Sequence, residues 1–486
     1  MDMVDEIELK LELSPEGIDA LEASGLLPGE AATAQQRSIY FDTADHDLAD
    51  AGFSLRIRKT DRKRIQTVKA ASTSAGLYVR PEWERPVKDD APILDDTTPI
   101  RALLGDKTDS IAPLFEVHIE RRVWMLGGDD ATIELALDRG EAIAGERLSP
   151  IREIELELKQ GAPDALFALA RRIDEAAPAR IGVLTKAERG YRLTGPSPTL
   201  VKAEPVALTP DMTAAQAFQA IAGNCLRQFR LNETLLLDRR NAGALHQARV
   251  ALRRLRSALT IFRPVIGEES REKPGQDLRW LASELGDARN LDVLLDRVGE
   301  GPLQDHISAA REAAYDKVAE SLSAPQTRAM MLDFAQWLAT GPWLTAPETE
   351  EARRLPVRDF AVTALDRLRR RVKKDGRHLD RADDEARHTL RKDAKKLRYG
   401  TDFFTSLFPR KREQRRFKRF MASLERLQDQ LGALNDIATT PSLLDQLGLT
   451  DDPAASALLA PDKRKKLIAA ALDAHEELID LKRFWR

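Results

Sequence analysis

The chain is poor in the residues that staple a fold covalently, stack on nucleobases or cross a membrane. Its 486 residues include one cysteine, and only 5% are aromatic. A lone Cys225 excludes an intramolecular disulfide framework and fits a reducing compartment. Because it sits among Ala, Leu and Phe, it reads as a small buried apolar residue. No uninterrupted apolar run approaches the ~20 residues of a membrane span. The start, Met1-Asp2-Met3-Val4-Asp5-Glu6, is acidic and lacks the basic-then-apolar pattern of an export signal. The expectation is a soluble, cytoplasmic protein with no membrane partner.

Charge is what the chain has in abundance, and it is divided. The overall −3 conceals an acidic front, with 26 Lys and Arg against 37 Asp and Glu in residues 1–200, a net of −11. Residues 201–486 carry 50 against 42, a net of +8. Clustered carboxylates suit divalent cations, and a basic half suits polyanions. At this length more than one hydrophobic core is expected. The break lies between Thr194 and Thr213, where Gly195-Pro196-Ser197-Pro198, Pro205 and Pro210 interrupt all periodicity. Before it, period-2 alternation predicts antiparallel strands over 6–13, 53–58, 66–69, 115–124, 132–137 and 151–159, with helices only near 16–23 and 163–176. Such a segment folds as a closed or nearly closed β-barrel. After it, Ala/Leu/Arg/Glu patterns broken at Pro264, Gly267, Pro302, Pro325, Pro342, Pro347 and Pro409 predict an all-helical bundle.

In a strand, alternate side chains share a face. Glu6, Glu8, Lys10 and Glu12 therefore project together, opposite Ile7, Leu9, Leu11 and Leu13. Glu153, Glu155 and Glu157 do the same on a later strand, as do Arg56 with Arg58, and Arg80 with Glu82 and Glu84; Lys69 and Asp138 each end a strand. One reading is an ordinary sheet with a wet face. The other is a charged tunnel, because acids and bases on five or six strands are costly to bury without partners. A tunnel of this kind suits a metal and a highly anionic substrate.

In the basic half one helix pattern occurs twice, 142 residues apart: His246, Arg249, Arg253, Arg256, then His388, Arg391, Lys395, Arg398. At about 100° per residue, each set falls within an arc of roughly 80°. Leu252, Leu255, Leu259 and Phe262 back the first stripe, and Leu390, Leu397 and Phe404 the second, as expected of helices packed in a bundle. Crowding like charges at helical spacing is destabilising, so an anionic ligand that offsets it is expected. A linear polyanion needs such a cation track. Zinc is disfavoured because neither histidine has a His or Cys at ligand spacing; each is expected to donate to phosphate. Nucleic acid is disfavoured because no stacking platform accompanies the stripes. The runs Arg367–Arg371 and Arg410–Arg419 lack the His-led spacing and read as solvated helix.

Glu6-Ile7-Glu8-Leu9-Lys10 resembles the ExExK signature of the CYTH superfamily, the triphosphate tunnel metalloenzymes. The likeness continues in order through Tyr40-Phe41-Asp42-Thr43, Leu55-Arg56-Ile57-Arg58, Lys69, Arg80-Pro81-Glu82, Arg121 with Trp124, Leu137-Asp138-Arg139-Gly140, Glu153 to Glu157, and Lys186-Ala187-Glu188-Arg189-Gly190-Tyr191. One departure is Thr185, where relatives often carry Ser before the Lys. The resemblance implies an eight-stranded antiparallel tunnel with Mg²⁺ or Mn²⁺ as cofactor. By position, Glu6, Glu8, Asp138, Glu155 and Glu157 would be metal ligands or position the attacking water. Glu155 and Glu157 are the candidates for the catalytic role. Lys10, Arg56, Arg58, Lys69, Arg121 and Lys186 would bind triphosphate.

The two His-led helices are similar to the duplicated signature of the CHAD domain, an α-helical family that binds inorganic polyphosphate. Each is followed by a related segment, Leu285-Gly286-Asp287-Ala288-Arg289-Asn290-Leu291-Asp292 and Leu431-Gly432-Ala433-Leu434-Asn435-Asp436. The expected protein is thus multidomain: an α+β tunnel domain over 1–195, a linker over 196–212, and a duplicated helical domain over 213–486. It would hydrolyse inorganic tripolyphosphate, bind polyphosphate and associate with polyphosphate granules. The alternatives are a CYTH enzyme acting on thiamine triphosphate or a nucleotide, and a polyphosphate-binding protein with little turnover. Tyr40, Tyr78 and Trp83 are the aromatic residues nearest to serving an organic substrate.

Overall fold

The computed structural model describes residues 7–70, 77–78, 82–128, 130–459 and 463–486. Two compact units result, Met1–Thr199 with Ala324–Gly341, and Leu200–Ser323 with Pro342–Arg486. Glu6 and Arg80 lie outside the described residues.

The first unit is built on one antiparallel sheet. Its strands are β1 (Glu8–Leu13), β2 (Ala32–Asp42), β3 (Phe53–Thr60), β4 (Lys63–Ala70), β5 (Leu77–Tyr78), β6 (Glu82–Pro86), β7 (Ala112–Gly127), β8 (Thr132–Ala144), β9 (Arg147–Gln160) and β10 (Ala179–Ile181). They are ordered β10-β1-β9-β8-β7-β2-β3-β4-β6, while β5 pairs with β1. Since β5 and β6 lie close in sequence, Leu77–Pro86 pairs with β1 through its first residues and with β4 through its last. A sheet that curls toward closure needs that kind of bridge.

The curl decides between the two readings of the alternating strands. Leu9, Leu11, Leu55, Ile57, Leu135 and Leu137 are buried on one face, and so, on the other, are Glu8, Lys10, Arg56, Asp138 and Glu153. The charged face is interior, not wet. On the outer face the helices Pro15–Ala23 and Asp164–Ala176 pack over β1. The latter is amphipathic, with Leu166, Phe167, Ala170 and Ile173 fully buried. The helix Pro325–Thr340, which comes from far along the chain, also belongs to this unit. Arg171 reaches its Asp333 at 2.7 Å, and its Arg328 reaches Asp174 at 2.5 Å. No sequence pattern marked this helix out from its neighbours.

The floor of the sheet interior is aromatic and apolar: Tyr40, Phe115, Val117, Ile119, Ala142 and Ile151 form one buried cluster. The helix Lys186–Leu193 lies against it. Thr185 caps this helix, accepting from the Glu188 amide at 3.1 Å while Glu188 accepts from the Thr185 amide at 2.7 Å. A threonine makes this capping box as a serine would. Tyr191 meets Phe115 edge-on at 5.0 Å, and Phe115 stacks on Tyr40 at 4.7 Å. The Tyr191 hydroxyl donates to Asp42 at 2.9 Å, and Asp42 also accepts from the amides of Thr43, Leu48 and Ala49. That node ties the Tyr40–Thr43 motif to the Lys186–Tyr191 motif.

In the second unit, helices begin where the prolines stand. Pro302, Pro342 and Pro347 each open a helical segment, as Pro325 does in the first unit, where a missing N–H goes unnoticed. Pro274 and Pro441 lie inside helices instead. The His-led helices are Ala242–Ile261, capped by Asn241, and Asp384–Phe404, capped by Asp383. Their apolar backs, Leu252, Leu255, Leu259, Leu390, Leu397 and Phe404, are buried. Residues 201–212 form neither helix nor strand, yet they lie against this unit: the Val201 amide donates to Asn232 and the Leu208 amide to Ser406.

Gly190 provides a test of the packed floor. A Cβ there would sit 2.0 Å from two carbons of the Phe115 ring, which is already held by Tyr40 and Tyr191. Alanine gains about 1 kcal/mol of helix propensity, but overpacking costs roughly 1–3 kcal/mol, and the boxed ring cannot yield. Gly190→Ala is expected to lower the urea midpoint of the first unit, measured by near-ultraviolet circular dichroism.

Candidate functional sites

The register of the sheet sets the first site. Lys10 faces Glu155 across β1 and β9, and Arg121 faces Asp138 across β7 and β8, so unlike charges meet on the inner face. Other pairs are alike, Asp138 opposite Glu153 and Glu8 opposite Glu157 among them. Like charges placed directly across a ladder repel. Cations relieve both. The Lys186 Nζ lies 2.6 Å from Asp138, 2.5 Å from Glu153 and 2.8 Å from Glu155. The Lys10 Nζ lies 2.9 Å from Glu8 and 2.5 Å from Glu155. Arg121 grips Asp138 with a two-pronged donation at 2.7 and 2.6 Å and also donates to Glu155.

These contacts fix the protonation states. Burial alone would raise Glu155, yet Lys10, Lys186 and Arg121 hold it well below the usual carboxylate range. Asp138 is likewise held down by Lys186 and Arg121 against its burial. Burial works against the Lys186 ammonium, but Asp138, Glu153 and Glu155 outweigh it and raise its pKa. All three groups are ionised at neutral pH.

Arg56 and Arg58 share the same inner face and differ from the others. Among the described residues neither makes an ion pair; Arg56 has the Tyr40 hydroxyl at 3.4 Å. Burial, followed by the charges of Arg56 and Arg121, pushes Arg58 down to about 10, so it stays charged at neutral pH. Two uncompensated guanidiniums beside a compensated acid–base cluster leave the inner face with positive charge to offer. Lys69 is on the same face but pairs with Glu82 at 2.6 Å.

Asp138, Glu153 and Glu155 each present an oxygen, all within 4.8 Å of one another. Hard carboxylate oxygens at this spacing suit Mg²⁺ or Mn²⁺, and the donor set fits such an ion on condition that the Lys186 ammonium, in contact with all three, moves aside. Of the acids expected at a metal, the structure brings Asp138 and Glu155 together and joins Glu8 to them through Lys10. Glu157 lies at the edge, 2.5 Å from Lys159, and Glu6 is outside the described residues. Glu153 and Arg189 were not singled out from the sequence. Glu153 shares the alternation of Glu155 and Glu157, which was the available signal; Arg189, paired with Glu12 and 3.8 Å from Glu153, stood in the Lys186 to Tyr191 motif without a role assigned to it.

The second site is a cavity of about 650 Å³ in the helical unit. His246, Arg249 and Arg253 of the first His-led helix and Arg391 and Lys395 of the second line it together, so the two stripes converge. Arg256 and Arg398, one turn further along, do not line it; Arg398 instead donates to Gln428 at 3.3 Å. His388 bonds Asn435 at 2.8 Å and lines a smaller neighbouring pocket that shares Asn435. Arg289 and Arg297 join the lining from outside the stripes, brought there by packing, and among the described residues Asp436 is the carboxylate that lines it. Crowding shows in the titration. Burial and the surrounding arginines push His246 down to about 4, Arg249 to about 10 and Lys395 to about 7.

Family comparisons agree with this division. The CYTH domain model matches residues 5–191, and the CHAD domain model matches residues 220–445. An inorganic triphosphatase of Haemophilus influenzae is 32% identical over 209 residues, which is 39% of this chain and 55% of that protein, so the likeness spans about half of the relative. Two uncharacterized proteins of Mycobacterium tuberculosis are 27% identical over 446 residues, covering 81% of this chain and 80% of each. The crystal structure of the CHAD domain from the plant Ricinus communis is 29% identical, covering 58% of this chain and 97% of that one, with a TM-score of 0.49. Among the described residues no helix is long and apolar enough to cross a membrane. The chain carries a CYTH domain over residues 5–191 followed by a CHAD domain over residues 220–445.

Proposed function

We propose that the chain is a divalent-metal-dependent inorganic triphosphatase that hydrolyses tripolyphosphate within its sheet, while the helical cavity holds inorganic polyphosphate. The observation that carries the reading is the inner face itself: an ionised acid cluster, locked by Lys10, Arg121 and Lys186, beside the two uncompensated arginines Arg56 and Arg58. Phosphoryl transfer needs little covalent help; it needs positive charge on the phosphoryl oxygens and an oriented water.

Arg56 and Arg58 supply the first without breaking any ion pair among the described residues. Lys10, Arg121 and Lys186 can add to it, as can Lys69. Asp138, Glu153 and Glu155, with Glu8 and Glu6, would hold Mg²⁺ or Mn²⁺, which neutralises phosphate charge and polarises a phosphoryl oxygen when bound. Glu155 and Glu157 are the carboxylates offered for orienting water. Glu155, held ionised, accepts hydrogen bonds throughout the neutral range.

The aromatic residues favour an inorganic substrate over an organic one. Both neighbours of the Tyr40 ring are set: Phe115 stacks on it and the hydroxyl faces Arg56. Trp83 packs outward against the cluster of Leu55, Ile57 and Val68. The Tyr78 side chain lies outside the described residues. Neither Tyr40 nor Trp83 is left to stack on a thiamine or adenine ring.

In the helical cavity, five cations or potential donors from the two stripes share one space with Arg289 and Arg297. A phosphate chain would relieve their mutual repulsion, and its affinity should fall with salt through counterion release.

Three measurements test the reading. Phosphate release from tripolyphosphate is expected with Mg²⁺ or Mn²⁺, lost on chelation, and reduced at least 100-fold (about 3 kcal/mol of transition-state stabilisation) in Glu155→Ala and in Glu6→Ala. Absence of turnover with every metal would leave a phosphate-binding protein instead. For stability, folding depresses Glu155 below its ordinary value, so its contribution is present above about pH 4 and drains away as pH falls through the folded value. Glu155→Gln should therefore lose about 3–5 kcal/mol near neutrality, as for a broken buried pair, with the gap to the parent closing in acid; urea titrations across pH read this. Finally, the chain should retard long-chain polyphosphate on a gel, and Arg391→Ala combined with Lys395→Ala should weaken the retardation.

A further inference from the structure

Lys395 is placed unlike the other lysines of its helix. Lys396, one residue on, pairs with Asp393 at 2.8 Å, and Lys392 is exposed to solvent. Lys395 is half-buried, lines the cavity and makes no ion pair among the described residues. Its surroundings are cationic on three sides, the arginines supplying the charge while His246 is held neutral. Arg391 lies one turn back on its own helix, His246, Arg249 and Arg253 face it from Ala242–Ile261, and Arg289 and Arg297 come from Gly286–Leu295 and the turn after it. The helix Lys411–Gln446 contributes an opposing charge, Asp436.

Such a setting does two things to an amine. It draws small anions toward it, and it disfavours the ammonium form, through loss of hydration and through like charge. The second effect brings Lys395 to about 7, with burial as the largest cause, then Arg391 and Arg253. An unperturbed lysine of pKa ~10.4 is only about 0.1% unprotonated near pH 7.5, and the downward shift gives Lys395 a larger free-amine fraction there.

We propose that Lys395 is an acylation site, its Nζ taking the acyl group of a small acyl phosphate drawn into the cavity by the surrounding cations. The Nζ lone pair attacks the carbonyl carbon, and an N–C bond forms. The C–O bond to phosphate breaks, inorganic phosphate leaves with that electron pair, and the proton lost from nitrogen passes to water. No oxidant or metal is required. The product is a neutral amide in place of a cation. A weaker grip on polyphosphate follows from it, and that consequence alone rests on the proposed polyanion binding.

The test uses the full chain with acetyl phosphate at ~pH 7.5, early time points and peptide mass spectrometry. Acetylation at Lys395 is expected to outrun that at the exposed Lys392 by about tenfold or more. Inorganic phosphate should suppress the excess. An uncharged acetylating ester should show a smaller preference, because it is not drawn in. Arg253→Gln, checked for native circular dichroism, should lower the Lys395 to Lys392 ratio by restoring the ammonium. Equal labelling of the two lysines, or a ratio unmoved by Arg253→Gln in a folded protein, overturns the proposal. Loss of polyphosphate retardation with the labelling preference intact sinks the polyphosphate reading and leaves this one standing.

Discussion

Carboxylates facing each other across adjacent strands repel, and β8 and β9 place Asp138 directly opposite Glu153 with Glu155 alongside. The sheet can bury this arrangement because one ammonium enters it. Lys186 touches all three acids, and it is delivered there by the first residue of a short helix whose capping box, glycine and tyrosine fix its position against the floor. An unpaired buried carboxylate is strongly destabilising, so the position of this helix and the ionisation of the cluster depend on each other. The motif around Lys186 thus joins packing to electrostatics: Gly190 lets the helix approach Phe115, Tyr191 anchors it to Asp42, and Lys186 neutralises the acids.

The two halves handle like charge in opposite ways. In the sheet, acids and bases alternate across strands and largely satisfy one another, leaving Arg56 and Arg58 as the residual positive charge. In the helical unit the cations outnumber the acids near them, Asp436 in the lining and Asp287 beside Arg249, and the imbalance shows in shifted titration at His246, Arg249 and Lys395. A compensated cluster is suited to a defined multi-charge substrate and an ion. An uncompensated cavity is suited to a ligand that brings its own negative charge in excess. The chemistry proposed for each half follows from that contrast.

Much of this was legible in the chain before folding. The period-2 rows placed Glu8 with Lys10, Arg56 with Arg58, and Glu155 with Glu157 on shared faces, since side-chain alternation in a strand is a local property. The repeated His-led spacing placed Arg249 with Arg253 and Arg391 with Lys395 on stripes for the same reason. The long strand β2 gave a weaker signal, because the polar run in Ala32–Arg37 does not alternate in hydrophobicity. The helix Pro325–Thr340 was grouped with its sequence neighbours, and the ion pairs that assign it to the first unit join residues more than 150 positions apart.

Periodicity and spacing determined by themselves which residues share a face, where strands give way to helices, and which faces carry charge, because each depends only on neighbours along the chain. Tertiary structure alone decided that the charged face of the sheet is interior, that Glu153 joins Asp138 and Glu155, and that Arg289 and Arg297 complete the cavity while Arg256 and Arg398 fall outside it. Those outcomes depend on strand register, on sheet curvature and on how far a helix slides along its neighbour, and such quantities are set by the packing of distant segments.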